Sequence, residues 1–151
     1  MSRATQRSAA RLGAVQALYQ MEIGGAGLHD VLVEFEAYWL GQEIEGDQYK
    51  PAELGFFRDI VTGVLADQTE IDRTIDDLLE RSWPLKRVEA LLRAILRAGT
   101  YELRARPDVP VRATITDYVD VAGAFFGNDE SGMTNAVLDQ LARAVRPQEF
   151  V

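Results

Sequence analysis

The chain is poorly supplied with side chains for acid–base, nucleophilic or metal chemistry. Cysteine is absent and His29 is the only histidine, which excludes a thiolate nucleophile, a disulfide and a Cys-ligated zinc. His29 sits between a glycine-rich stretch and Asp30, with no partner at ligand spacing, and reads as a surface or capping residue. Gly24-Gly25-Ala26-Gly27 follows no strand and matches neither dinucleotide nor P-loop spacing, so it reads as a turn. Asp72, Asp76, Asp77 and Glu80 share helical spacing and could ligate a hard cation. Without inward histidines beside them they read instead as a solvated helix face. No catalytic centre, metal site or cofactor is expected, and the chain reads as a non-enzyme.

Arginine is arranged more tellingly. Residues 2–19 hold three arginines and no acid, and Arg3, Arg7 and Arg11 are spaced by four, which in a helix puts them on one face. Cations in a first turn meet the positive end of the helix dipole, so stability does not ask for them there. A second set, Lys86, Arg93, Arg97 and Arg104, is spaced by seven, four and seven; on one continuous helix these fall within about 40° of one direction. Tyr101, four residues beyond Arg97, joins that side. Guanidinium groups on phosphates and rings under bases are how single-stranded nucleic acid is held. The alternative is a solvated face whose cations pair locally, as Glu89 can with Arg93. Of the adjacent Phe125 and Phe126, one at most suits a core face, and the other is a candidate platform for a base.

These groups stand out against an acidic whole. The formal net charge is −8, yet residues 1–21 carry +3, residues 22–80 carry three bases and fifteen acids, and residues 81–151 carry ten bases and nine acids. A nucleic-acid site must then be local, built from the two ends of the chain.

The elements that must position them are helices, because apolar residues recur at three and four almost throughout. A first helix is expected at about 8–23, burying Leu12, Val15, Leu18 and Tyr19, and a second at about 28–42 through Val31, Leu32, Phe35, Tyr38 and Trp39. Residues 43–50 read as a polar loop. Pro51 opens a third helix with Leu54, Phe57, Ile60, Val61, Val64 and Leu65 inward, and residues 67–81 form a fourth segment. The fifth runs from Trp83-Pro84 to about Ala105, using Leu85, Val88, Leu91, Leu92, Ile95, Leu96 and Leu103. Pro107 and Pro110 bracket an extended link. A sixth helix at about 111–126 and a seventh after a GNDESG turn, with Val137, Leu141 and Val145 inward, complete the chain. At 151 residues with ordinary globular composition, one domain over 1–151 is expected. The fold class is all-α, about seven helices in two small packed bundles. No apolar run approaches the ~20 residues of a membrane span, and no signal-peptide core follows the basic start, so a cytoplasmic protein is expected.

Ala14-Val15-Gln16-Ala17-Leu18-Tyr19, Phe57-Arg58, Ala94-Ile95-Leu96-Arg97-Ala98, Tyr101-Glu102-Leu103, Asp108-Val109-Pro110 and Asn135-Ala136-Val137-Leu138-Asp139 together resemble, in order and separation, the NusB family of bacterial transcription antitermination factors. The resemblance implies a two-bundle helical fold that binds boxA RNA of nascent ribosomal-RNA transcripts with ribosomal protein NusE. It further implies an antitermination complex with NusA, NusG and RNA polymerase. It assigns an RNA role to the N-terminal arginines, matched here by Arg3, Arg7 and Arg11, and brings in Arg97, Phe125 and the acidic position Asp129. The chain departs from the family pattern at Thr116-Asp117, at Gly123, and at Met133-Thr134 with Asn135-Ala136, losing a lysine and an aromatic near the implied RNA surface. Two other classes compete: a helical protein-interaction module with no RNA contact, and the accessory helical domain of an RNA cytosine methyltransferase. The second lacks its nucleophilic cysteine and any residues for a cofactor-binding sheet.

Overall fold

In the computed structural model the described backbone comprises residues 3–40, 43–44, 47–48, 51–79 and 83–150, and the described side chains residues 5–37, 54–79 and 83–150. Among the described residues there are seven α-helices: α1 (Arg3–Gly24), α2 (Leu28–Leu40), α3 (Pro51–Ala66), α4 (Gln68–Leu78), α5 (Ala90–Ala105), α6 (Val111–Phe125) and α7 (Asn128–Val145). Short 3₁₀ turns cover Leu85–Arg87 and Pro147–Phe150. The expected all-helical architecture is what forms. α1 packs on α2 and α3, and α5 packs on α4, α6 and α7, while α1 also lies along α5 and joins the two groups.

Local sequence explains most boundaries. α1 is rich in alanine, the best helix former, and begins near Arg3 rather than residue 8. It stops where Gly25 takes a left-handed φ of 72° and donates its N–H to the Met21 carbonyl at 3.0 Å, a glycine helix stop. Pro51 opens α3 as expected. α5 ends before Pro107, which pushes Arg106 out of helical geometry.

Four expectations need correction. The segment from Trp83 is not one helix: Leu85–Arg87 is a separate 3₁₀ turn, Val88 and Glu89 are extended, and α5 starts only at Ala90. Lys86 therefore has no helical register with Arg93. The GNDESG stretch is no turn but the opening of α7, with Gly127 preceding it and Asp129 and Glu130 favourably placed in its first turn. Within residues 43–50, Glu43 pairs with Gln48 and Ile44 with Asp47 as a two-residue antiparallel ladder. The link at 107–110 is not extended throughout: the Val109 N–H reaches the Arg106 carbonyl at 3.1 Å, closing a turn with Pro107 in its second position.

The buried apolar side chains form one cluster, with Phe57, Ile60, Ile71, Ile75, Leu92, Ile95, Leu96, Leu103, Tyr118 and Leu138 at its centre. On α1 the buried face is set by Ala10, Ala14, Val15, Ala17 and Leu18, while Leu12 and Tyr19 stay 37% and 39% exposed. Small alanines let α1 approach α3 and α5 closely, and residue 12 then points about 200° away from residue 14. Val145 is likewise exposed rather than inward. The side chains of Tyr38 and Trp39, and residues Glu80 and Arg81, lie outside the described residues.

Candidate nucleic-acid interface

The N-terminal arginines part company in the fold. Arg11, 3% exposed, is enclosed: its Nε and Nη2 donate to the two carboxylate oxygens of Glu102 at 2.8 and 3.0 Å, and its Nη1 donates to Asp117 at 2.6 Å. Glu102 is itself fully buried and accepts further bonds from the Tyr118 hydroxyl at 2.5 Å and the Thr114 hydroxyl at 3.5 Å. Ser8 donates to Asp117 at 2.7 Å. This network ties α1 to α5 and α6. Burial alone lowers the Arg11 pKa, but the bond and charge of Glu102 more than offset it, so the pKa ends above normal. Burial, then the Glu102 charge, drives the Tyr118 hydroxyl well above its ordinary value. The placement of Arg11 on an RNA-facing surface is therefore corrected: its fork is spent inside the protein. The Arg3 side chain lies outside the described residues.

Arg7 is partly buried, its side chain 19% exposed, in a cluster that spacing did not indicate. Phe56 of α3, nearly buried, carries the guanidinium carbons of Arg7, Arg11 and Arg106 at 5.1, 5.2 and 4.9 Å from its ring centre. These lie within cation–π range. Arg106 donates to both oxygens of Asp108 at 3.0 and 2.9 Å and to Asp59 at 3.0 Å, while Arg7 comes within 3.9 Å of Asp108. The bond from Arg106 holds the Asp108 carboxyl down at about 2. Tyr101 belongs to this neighbourhood: its hydroxyl donates to Asp59 at 2.7 Å, and burial with that bond pushes it up to about 12. Its ring lies against Gly63, where an added Cβ would stand 2.1 Å from a ring carbon. The expected grouping of Tyr101 with Arg97 does not form, because Tyr101 turns to α3 and Arg97 to α4.

At the other end of the α1–α5 pair, Arg93 donates to Glu22 at 3.0 and 2.6 Å and to the Val88 carbonyl. Arg97 grips Asp72 through two bonds of 2.7 and 2.9 Å and reaches Glu22 at 3.3 Å. These pairs floor a cleft of about 840 Å³ that Arg73, Lys86 and Arg87 also line, together with Asp76. Lys86 and Arg87 are exposed, so the cleft has five bases against three acids. Of the four acids read as a cation face or a solvated helix face, Asp72 is taken by Arg97 and Asp76 accepts from the Leu85 N–H at 2.9 Å, while Asp77 is exposed. Among the described residues no cluster of three or more His, Asp or Glu is placed to hold a metal ion. From Arg7 to Glu22 is fifteen residues along α1, about 22 Å, so the two basic groups do not merge into one stripe.

Phe125, at the end of α6, is 50% exposed, and Phe126 packs against the core. Asp129 stands exposed in the first turn of α7. It rims a groove of about 620 Å³ with Leu78, Leu79, Trp83, Met133, Val137 and Gln140. Of the family departures, Thr134 is buried and donates to the Glu130 carbonyl at 2.8 Å. Gly123 is not required by crowding, since a Cβ there would stand 3.7 Å from Ser131.

Sequence reasoning missed Phe56, Arg106, Glu102 and Arg146. Glu102 left a signal: in an α-helix it shares a face with Ile95, Ala98 and Gly99, so a charge there requires a buried partner. Arg106 and Asp108 flank a proline, a turn signature that brings their side chains together. Arg146 left none; its guanidinium donates to the carbonyls of Glu102, Leu103, Arg106 and Val109 at 2.8, 2.8, 2.5 and 2.5 Å, contacts that only the fold creates.

A family model described as NusB family matches residues 8–143. Among curated relatives, a protein of Nitrobacter winogradskyi named transcription antitermination protein NusB is 64% identical over 98% of this chain and 92% of its own length. A like-named protein of Rhodopseudomonas palustris strain TIE-1 is 60% identical over 98% and 85%. Among solved structures, Thermotoga maritima NusB aligns with a TM-score of 0.80 at 27% identity, over 95% of this chain and 96% of that one. A structure described as antitermination factors NusB and NusE in complex with dsRNA aligns at 0.72 over 95% and 99%. Its 21% identity speaks for the shared fold.

Proposed function

The chain belongs to the NusB family, and from that premise we propose that it is a transcription antitermination factor, a non-catalytic adaptor that binds boxA RNA of nascent ribosomal-RNA transcripts together with NusE. The observation that carries this reading is the match, over 98% of the chain, to relatives named transcription antitermination protein NusB. The whole chain acts as one RNA-binding unit in a complex with NusA, NusG and RNA polymerase. The solved assembly of a NusB with NusE and RNA supports RNA and NusE as partners.

The geometry narrows which residues serve. Arg7 at one end of α1 and Lys86, with the partly open Arg93 and Arg97, at the other offer cations to phosphates, and the exposed Phe125 ring offers a face to a base. Asp129, exposed in the first turn of α7, contributes an acidic group to the RNA-facing surface. Because so many guanidiniums already hold carboxylates, affinity for RNA alone is weak, and NusE supplies the remaining surface. A second reading, an interaction module without RNA contact, draws on the exposed Leu12, Tyr19 and Ile23, spaced by seven and four along α1. Mobility shift with boxA and scrambled RNA, each with and without NusE, separates the two. The adaptor reading expects boxA-selective, salt-sensitive binding that strengthens with NusE; equal and negligible shifts in all four lanes would sink it.

A further inference from the structure

Arg106, Pro107, Asp108 and Val109 fold as a turn closed at 3.1 Å between the Val109 N–H and the Arg106 carbonyl. The turn doubles the chain back, so that the Arg106 fork meets both oxygens of Asp108 at 3.0 and 2.9 Å. One of those oxygens also lies 3.9 Å from Arg7 Nη2. Arg7 comes from the first turns of α1 and Arg106 from the end of α5, and both guanidiniums rest on the same buried ring, Phe56, at 5.1 and 4.9 Å. Arg106 is steadied from the other side by Asp59, which the Tyr101 hydroxyl holds at 2.7 Å. The floor and the Arg106 fork are therefore held, and Arg7 rests on the same ring, whereas the bridging anion is the most exposed member: the Asp108 side chain is 53% exposed and stands on a turn.

A guanidinium fork accepts a phosphate with the same two-bond geometry as a carboxylate. Two guanidiniums seated side by side on an apolar ring are pre-arranged for a diester phosphate, and the anion already there is half exposed, so that a phosphate can reach the same donors and compete for them. We propose that Arg7 and Arg106, seated on Phe56, form a phosphate site for the backbone of bound RNA, and that Asp108 occupies this site in the free protein. The inference rests on the RNA-binding reading above and adds to it the residue that completes the site and the residue that competes for it. Asp108 then acts as an internal stand-in for phosphate, lowering affinity and replacing one counterion that binding would otherwise release.

The test is a KCl series of boxA RNA titrations in the presence of NusE, with the intact chain, Asp108→Asn, Arg106→Lys and the double variant. Asp108→Asn is expected to bind about two- to fivefold tighter, the upper part of the range set by losing an exposed ion pair, with a log–log salt slope steeper by about one. Arg106→Lys keeps the charge and loses the fork, so in that background the gain from Asp108→Asn falls below about twofold. Unchanged affinity and slope in Asp108→Asn overturn the proposal, as does an equal gain in both backgrounds, which is the mark of long-range charge alone. A second arm follows the Arg106 Nε–Hε resonance during titration with inorganic phosphate. Response at lower phosphate in Asp108→Asn than in the unaltered chain supports the site, and no response in either overturns it. If phosphate moves Arg106 yet no form binds RNA, the site stands and the RNA-binding reading fails.

Discussion

Arg7 and Arg11 are one helical turn apart, identical in type, and serve different ends. Arg11 faces Glu102 and Asp117 inside the protein; Arg7 sits at the rim with Asp108. A buried pair offers little net stability over an apolar one, but removing a single partner strands the other charge and costs about 3–5 kcal/mol. Arg11→Ala is accordingly expected to lower the unfolding free energy by about that amount in a urea titration, with Glu102→Ala similar and the double variant far from additive. Loss of RNA binding at unchanged stability would instead mean that Arg11 faces the ligand. At the rim, Arg7→Ala is expected to cost less, about 1–2 kcal/mol, because its contact with Asp108 is long at 3.9 Å and what is lost besides is its seat on Phe56.

At the scale of elements, α5 is the axis to which the others attach. Its Glu102 receives α1 and α6, its Gly99 lets Leu138 of α7 approach to 2.9 Å from where a Cβ would be, and its Tyr101 lies in the gap at Gly63 of α3. The last α5 carbonyls, which have no partner within the helix, are met by Arg146 from the end of α7. Gly63→Ala must displace the Tyr101 ring, and overpacking of this kind typically costs about 1–3 kcal/mol. The expected outcome is a lowered thermal midpoint together with loss of the Tyr101–Asp59 bond. That loss would be read as a fall of the Tyr101 hydroxyl from about 12 toward the ordinary tyrosine value in a spectrophotometric titration. Because folded Tyr101 titrates higher than an unfolded tyrosine, its contribution to stability is complete below the unfolded pKa and fades as pH rises through about 12.

Over the whole molecule the acid-rich middle of the chain is used to organise the basic ends. Asp59, Asp72 and Glu22, all from that middle, hold Arg106, Arg97 and Arg93. The result is two separate basic regions, around Arg7–Arg106 and around Lys86–Arg97, lying about 20 Å apart along the α1–α5 pair. Sites this far apart with no shared partner act independently. In RNA binding with NusE, Arg7→Ala and the paired change Lys86→Gln with Arg87→Gln should therefore add in log affinity to within about 0.5 kcal/mol. Each should also flatten the salt slope. If one set has no effect, RNA touches a single end of the molecule.

The helical class, the glycine stop after α1, the proline start of α3 and most core positions of α3 and α5 were legible from periodicity and turn chemistry, which are local properties of the chain. The family was legible too, from collinear motifs. What the sequence could not decide is which direction a helix face looks and what it meets there. Arg11 and Leu12 exchange the places that their chemistry suggests, because α1 packs through its alanines and a carboxylate at Glu102 waits opposite. Lys86 leaves the expected stripe through a break at Val88–Glu89, and Arg106 gains its place from a turn and a ring supplied by another helix. Spacing along one helix fixes angles within that helix; pairing between guanidiniums and carboxylates some ninety residues apart exists only once the helices are packed, and that pairing decides which charges remain for a partner.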